Sequence, residues 1–494
     1  AEVTFGPANS ITSTDLRIGS SFALAGDHTL VNQGQMHVTG IGNSLLFLEL
    51  DELRNEGTIS ASFGSAVRVL QSVDEFHNSG SISLLGGMSI EAQQWSNSGS
   101  ISIDGGSLIL GGGLWSNSGV ISNTGAAVFL EGEYISANVG LNSSGLTGDA
   151  TSTLHLRGSM DNTGHTFSTN SPSGFGNTLF DGVHISGGTL DTSDGGEYDF
   201  LFTNVSTFED VAVHGDLRLS GSGRLQMLGG TSVSGTVVLD NSASLGLDMS
   251  TPINWTIAQS ATGSNNSLTL EGANNVTTFG EHNQITAKSL AIGSTFAGAA
   301  ARDLVNQGRV SASGVSQSGI DFTSMRSYLN GGSMEAIDGG VLRVRSSVGT
   351  FTNAGSIELS PGSRLLLESN NWSNPGNIVA QGAEVRLAGN SVTSQTGLLS
   401  GRLTGDAAST LVIAGLLDNT SSVLRTDAFG GQMQFDGGTI MGGVLQTVGA
   451  GSYSFGITSP TTIDGLTVDG DLNLAGSSSL VVRNGPEVTG TNAT

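Results

Sequence analysis

The stretch Trp95-Ser-Asn97-Ser-Gly99-Ser-Ile101 returns twenty residues later as Trp115-Ser-Asn117-Ser-Gly119-Val-Ile121. Reduced to its constant positions it reads large apolar, x, Asn, x, Gly, x, apolar. The same pattern stands upstream at Leu30/Asn32/Gly34/Met36, Leu53/Asn55/Gly57/Ile59 and Phe76/Asn78/Gly80/Ile82. Its Asn residues advance by 23, 23, 19 and 20 positions, and Asn162 lies 45 further on. A recurring step of this size marks a chain of stacked supersecondary units. Between the marks the sequence alternates with period two, as in Ser100-Ile-Ser-Ile103 and Ser107-Leu-Ile-Leu110, and Gly-Gly or Asp-Gly-Gly separates the runs. Alternation with frequent turns predicts strands, and no segment carries an apolar stripe of helical period. One step then holds two or three short strands, which is one coil of a parallel β-solenoid. The expectation is an all-β chain of about 23 coils, each about 20 residues long, stacked at about 4.8 Å into a rod of about 110 Å.

The pattern returns far downstream at Leu304/Asn306/Gly308/Val310, Tyr328/Asn330/Gly332/Met334, Phe351/Asn353/Gly355/Ile357 and Trp372/Asn374/Gly376/Ile378. Asn419 follows Asn374 at the 45-residue distance that separates Asn117 from Asn162. Other landmarks pair as well. Thr4-Phe-Gly6 with Leu16 to Ser20 matches Thr278-Phe-Gly280 with Leu290 to Ser294. Leu146 to Ala150 matches Leu403 to Ala407, and Gly215 to Leu219 matches Gly470 to Leu474. The chain is therefore internally duplicated: copy one spans 1–239, connecting coils 240–274, and copy two 275–494. Copy two is shorter by about one repeat between the equivalents of Gly80 and Leu146, a loss that nearest-neighbour stacking tolerates. The two copies end at different phases, with Thr494 aligned to Leu239. Solenoid ends expose unpaired backbone and core, and neither terminus reads as a helical cap, so self-association through the ends is expected.

Each repeat position has a physical reason. Gly two residues after Asn is expected to supply a positive-φ corner. Asn tolerates the same region, and stacking is expected to align Asn32, Asn55, Asn78, Asn97 and Asn117, and again Asn306, Asn330, Asn353 and Asn374, into amide ladders. The apolar positions point inward. Trp95, Trp115 and Trp372 occupy that slot, whereas Trp255 lies outside it and reads as a surface or interface residue. The coils at 95–101 and 115–121, with Trp372-Ser-Asn-Pro-Gly-Asn-Ile378, resemble the secreted bacterial β-helix proteins of the filamentous-haemagglutinin-like and autotransporter-passenger type. The resemblance implies an extracellular or cell-surface protein that does no chemistry.

Composition narrows the function classes. The 494 residues include 75 Gly, no Cys, 17 Lys+Arg and 42 Asp+Glu, for a formal net charge of −25. Without Cys there is no disulfide framework and no thiolate nucleophile or ligand. So few cations argue against nucleic acid, and no apolar run is long enough to span a membrane. Gly without a Gly-X-Y period excludes collagen. An Ala-Glu-Val start suits a mature secreted product.

No catalytic or cofactor-binding residue stands out. The densest carboxylate group is Glu197, Asp199, Glu209 and Asp210, and its equivalent in copy two has lost most of its acids. The eight His (28, 37, 77, 155, 165, 184, 214 and 282) show no ligand spacing. No metal site is assigned; calcium is the one cation considered, at Asp104, Asp149, Asp181, Asp406, Asp436, Asp469 and Asp471, because Asp beside Gly can present oxygen ligands. Nucleophile-elbow and phosphate-loop motifs are missing. Asn142, Asn204, Asn275 and Asn492 begin Asn-x-Ser/Thr triplets that turn chemistry explains. The reading is a non-enzymatic extracellular rod that stacks end to end. One alternative is a surface adhesin binding glycans or a host receptor, with insertions near 193–210 or 251–267. The other is a carbohydrate-active β-helix enzyme.

Overall fold

The computed structural model describes residues 2–19, 28–42, 44–141, 143–169, 174–201, 203–260, 264–271, 276–293, 302–314, 319–449, 452–456, 459–470, 479–485 and 487–489. Ser20, Asn142, Asn275, Ser294, Asp471, Leu474, Asn492 and Thr494, singled out above, lie outside the described residues. Strand makes up 57% of the chain and helix 1%, arranged as a β-solenoid of about 19 turns with coils of about 23 residues. The turns are fewer and longer than the motif spacing predicts. The step is 19 residues from Asn78 to Asn97 but 23 from Asn32 to Asn55, and it widens where corners lengthen. The chain divides into two units, Ala1–Gly235 and Thr236–Thr494.

In unit 1 a coil is three strands, for example Leu50–Asn55, Thr58–Ala61 and Ala66–Val69. Each pairs in parallel and in register with its successor: Val73–Asn78, Ser81–Leu84 and Gly87–Ile90. Alternation along a strand sends every second side chain inward. The register therefore builds continuous apolar rows, such as Leu30, Leu53, Phe76, Trp95 and Trp115. Trp95 and Trp115 stack with ring centroids 4.6 Å apart and planes 8° from parallel. Met36, Ile59, Ile82, Ile101 and Ile121 form a second row. Each such side chain, fully buried, contributes roughly 1.5–3 kcal/mol.

Unit 2 repeats the plan. Asp303–Asn306, Met325–Asn330, Val348–Asn353 and Trp372–Ser373 stack in parallel, keeping Leu304, Tyr328, Phe351 and Trp372 in one inward row. A 3-10 turn, Thr393–Gln395, interrupts the strands. The strand Val276–Phe279 is preceded by a bridge from Ile253. Trp255, expected at the surface, is 6% exposed and part of this core. The stretches proposed as adhesin insertions are also coil: Tyr198, Phe200 and Phe208 are buried, as are Ile253 and Ile257.

The Gly of the motif serves a different purpose from the one expected. Gly57, Gly80, Gly99 and Gly119 are absent from the positive-φ residues, and so are the motif Asn residues. What excludes a side chain is proximity. A Cβ on Gly80 would lie 2.2 Å from the carbonyl oxygen of Gly57, and one on Gly355 would lie 1.9 Å from that of Gly332. The corner brings successive backbones together because two N–H groups converge on one carbonyl. Ser79 and Gly80 both donate to the Asn55 oxygen, at 2.9 and 2.8 Å, and Ala354 and Gly355 both donate to Asn330.

Candidate functional site

The repeat places the motif Asn residues at strand ends with their amides inside. Asn32, Asn55, Asn306, Asn330 and Asn353 are 0% exposed, and Asn78, Asn97, Asn117 and Asn374 are buried. In unit 1, Asn32 Nδ2 donates to Asn55 Oδ1 at 2.7 Å, Asn55 to Asn78 at 2.6 Å, Asn78 to Asn97 at 2.6 Å and Asn97 to Asn117 at 2.7 Å. In unit 2, Asn306 donates to Asn330 at 2.8 Å, Asn330 to Asn353 at 2.7 Å and Asn353 to Asn374 at 2.7 Å. Every link runs the same way, so the amide dipoles align and reinforce one another. The second hydrogen of Nδ2 points at a backbone carbonyl, Ser100 for Asn78 and Ser356 for Asn330. A flipped amide would set oxygen against oxygen, so the direction is fixed.

Both ladders are bounded alike. Asn117 Nδ2 ends on the Gly145 carbonyl at 2.8 Å, and Asn374 Nδ2 on that of Thr396 at 3.2 Å, where the coil loops out. At the other end Phe5 stands in register above Asn32 and Phe279 above Asn306. Neither ring can donate, and Asn32 Oδ1 and Asn306 Oδ1 have no donor among the described residues. Asn162 and Asn419 stand outside the ladders. Asn162 accepts from Ser136 Oγ at 2.7 Å and donates to the Thr189 carbonyl.

The other sequence candidates are dispersed. Asp199 accepts from Asn177 Nδ2 at 2.8 Å, Glu197 pairs with Arg218, Glu209 with His184, and Asp210 binds the Gly230 N–H. These four carboxylates have separate partners and form no common centre. Of the Asp corners read as cation ligands, Asp149 and Asp406 are tied into turns. Asp149 Oδ1 accepts from Ser152 Oγ, from the Gly125 N–H and from Thr151, which together hold its carboxyl well below the usual range. Asp406 does the same with Ser409 and Gly382. Asp181, 4% exposed, is pushed up by desolvation, but Arg157 at 2.6 Å and Asn204 at 3.0 Å outweigh this and its carboxyl lies below its ordinary value. Its counterpart Asp436 pairs with Arg386 instead, at 3.4 Å.

Two features were not singled out from the sequence. Glu52, Glu75 and His77 bring their side-chain ligand atoms within 4.8 Å of one another on the outer face of unit 1. Arg54 Nε lies 2.5 Å from Glu52, and His77 is held by Ser96 at 2.8 Å and Glu75 at 3.3 Å, so ion pairs and hydrogen bonds link the cluster while the Glu75 side chain stays about half exposed. The 23-residue step itself stacks Glu52 on Glu75 and Arg54 on His77. Beside this cluster runs a groove of about 420 Å³ lined by Glu75, His77, Gln94, Leu114, Glu133 and Ile135 among others. No family model matches the chain, and neither a curated protein nor a solved structure is significantly similar to it. Among the described residues no helix is long and apolar enough to cross a membrane.

Proposed function

We propose that this is a non-enzymatic, extracellular structural protein, a β-solenoid whose coils continue from one molecule to the next in a surface or matrix filament. The observation that carries the reading is the coil-to-coil contact itself. In-register backbone bonds join successive coils within each unit, and amide links add to them from Asn32 to Asn117 and from Asn306 to Asn374. That interaction is head-to-tail and does not close on itself, so it generates a filament when it acts between chains. The strand Glu2–Phe5 pairs with Thr29–Asn32 on one side, and Val3 is 60% exposed. The equivalent strand of unit 2, Val276–Phe279, has its other side covered by Ile253, whose N–H donates to the Thr278 carbonyl. The Trp-Ser-Asn-Ser-Gly-x-Ile coils carry the likeness to filamentous-haemagglutinin-like and autotransporter-passenger proteins, and this supports the extracellular assignment. The dispersed carboxylates favour a structural role over a carbohydrate-active enzyme. Sedimentation velocity over a concentration series tests the reading. The expected result is growth to large species, suppressed in Val3→Lys, which sets a charge on the exposed edge. Monomer at every concentration overturns it.

A further inference from the structure

Unit 1 carries a lateral groove of about 420 Å³ whose chemistry the matching row of unit 2 lacks, although the two descend from one repeat; the smaller groove of unit 2, beside Glu335, Glu358 and Val379, lies on a different strand row. The floor of the unit 1 groove is a row of outward side chains on four successive strands: Glu75, Gln94, Leu114 and Glu133 stand in register. His77, Ser96 and Ser116 form the parallel row beside it. Leu114 is 66% exposed and Ile135 38%, two large apolar side chains in water at one site. Glu75 has His77 Nε2 at 3.3 Å on one side, and the lining holds no Lys or Arg. The corresponding positions in unit 2 include Thr350 and Asn371, without charge, and Asn371 Nδ2 is spent on Thr350 Oγ1 at 3.3 Å. Inward the copies agree, with Trp95, Trp115 and Trp372 all buried. The difference is confined to the outer face, at the coil by which copy one exceeds copy two. Unit 1 is also the more acidic, with 6 Lys+Arg against 23 Asp+Glu, compared with 11 against 19 in unit 2.

We propose that this groove binds an extended cationic segment of a partner protein, with a lysine or arginine at each end and an apolar side chain between them. Four stacked strands place Glu75 and Glu133 about 14 Å apart, since neighbouring strands are about 4.8 Å apart. An extended chain advances about 3.4 Å per residue, so side chains four positions apart span the same distance. The segment is therefore cation, x, apolar, x, cation. The middle side chain lies on Leu114 and Ile135, and the cations meet Glu75 and Glu133. Trp95, Trp115 and Tyr134 border the groove but are only 2%, 5% and 3% exposed, too little for a sugar ring to stack on, which favours a peptide over a glycan.

The test is fluorescence anisotropy of the full chain with labelled acetyl-Lys-Thr-Leu-Thr-Lys-amide in low salt. The expected result is saturable binding that weakens about tenfold in Glu75→Gln/Glu133→Gln, as two exposed ion pairs allow. It also weakens severalfold in Leu114→Ser and persists in Asp104→Asn/Glu197→Gln, which removes the same charge elsewhere on unit 1. Equal loss in both charge-removing pairs would reduce the effect to bulk attraction and overturn the proposal. So would absence of binding. A neutral tetrasaccharide that binds in its place, sensitive to Leu114→Ser but not to the Glu substitutions, would assign the groove to glycan.

Discussion

At the scale of single residues, the motif Asn carries most of the specificity of stacking. Asn330 receives from Asn306 and donates to Asn353, both inside the core. Asn330→Ala leaves a buried donor and a buried acceptor unpaired, so it is expected to cost about 2–4 kcal/mol in urea unfolding. Asn162→Ala, outside the ladder, breaks no chain of amides. The motif Gly makes a sharper contrast. Gly80→Ala drives a Cβ to 2.2 Å from the Gly57 oxygen and is expected to cost about 2–4 kcal/mol. Gly105→Ala meets nothing within 4 Å and pays only for its φ of +74°, about 1–2 kcal/mol. Thermal unfolding of the two variants separates close approach from left-handed strain. The Asn and Gly positions were legible because the motif recurs. The reason for Gly was not, because the contact that forbids a Cβ comes from the neighbouring coil, 23 residues away in sequence.

At the scale of elements, corners are held by carboxylates that reach back one coil. Asp149 binds the Gly125 N–H and Asp406 that of Gly382, and both carboxyls are held low by these bonds and their hydroxyl partners. A carboxyl depressed in the folded state stabilises above its unfolded pKa, and that contribution is lost as pH falls through the folded value. Stability from these corners is therefore expected to hold from neutrality to about pH 4 and to decline only below it. Acid titration followed by circular dichroism checks this, and Asp149→Asn/Asp406→Asn is expected to remove part of the acid slope. Arg157→Met tests a second corner. It leaves Asp181 buried with Asn204 as its remaining partner, and breaking such a pair costs about 3 kcal/mol. From sequence these Asp-Gly and Gly-Asp pairs read equally well as turns or cation ligands. Only the three-dimensional register shows that the Asp149 and Asp406 oxygens accept from backbone and hydroxyl donors and that Asp181 faces Arg157 and Asn204.

At the scale of the whole molecule, duplication preserved what faces inward and released what faces outward. Asp181 and Asp436 survive in both copies, yet their arginines come from non-equivalent positions, Arg157 just after a strand and Arg386 within one. The ion pairs of unit 2, such as Arg326–Asp303 and Arg364–Glu384, use arginine, whereas unit 1 uses arginine at Arg54–Glu52 and Arg218–Glu197 and also histidine at His28–Asp51 and His184–Glu209. The solenoid and its duplication were legible because inward positions repeat. The groove was not, since its residues share no motif and meet only once the coils are in register. Likewise the number of turns escaped the motif spacing, because corners vary in length. The central claim, that coil stacking continues between molecules, is tested most directly by electron microscopy of the purified chain, with calcium and with chelator. The account predicts filaments longer than a single molecule in both conditions, lengthening with protein concentration. Isolated particles at every concentration, with or without calcium, would contradict it.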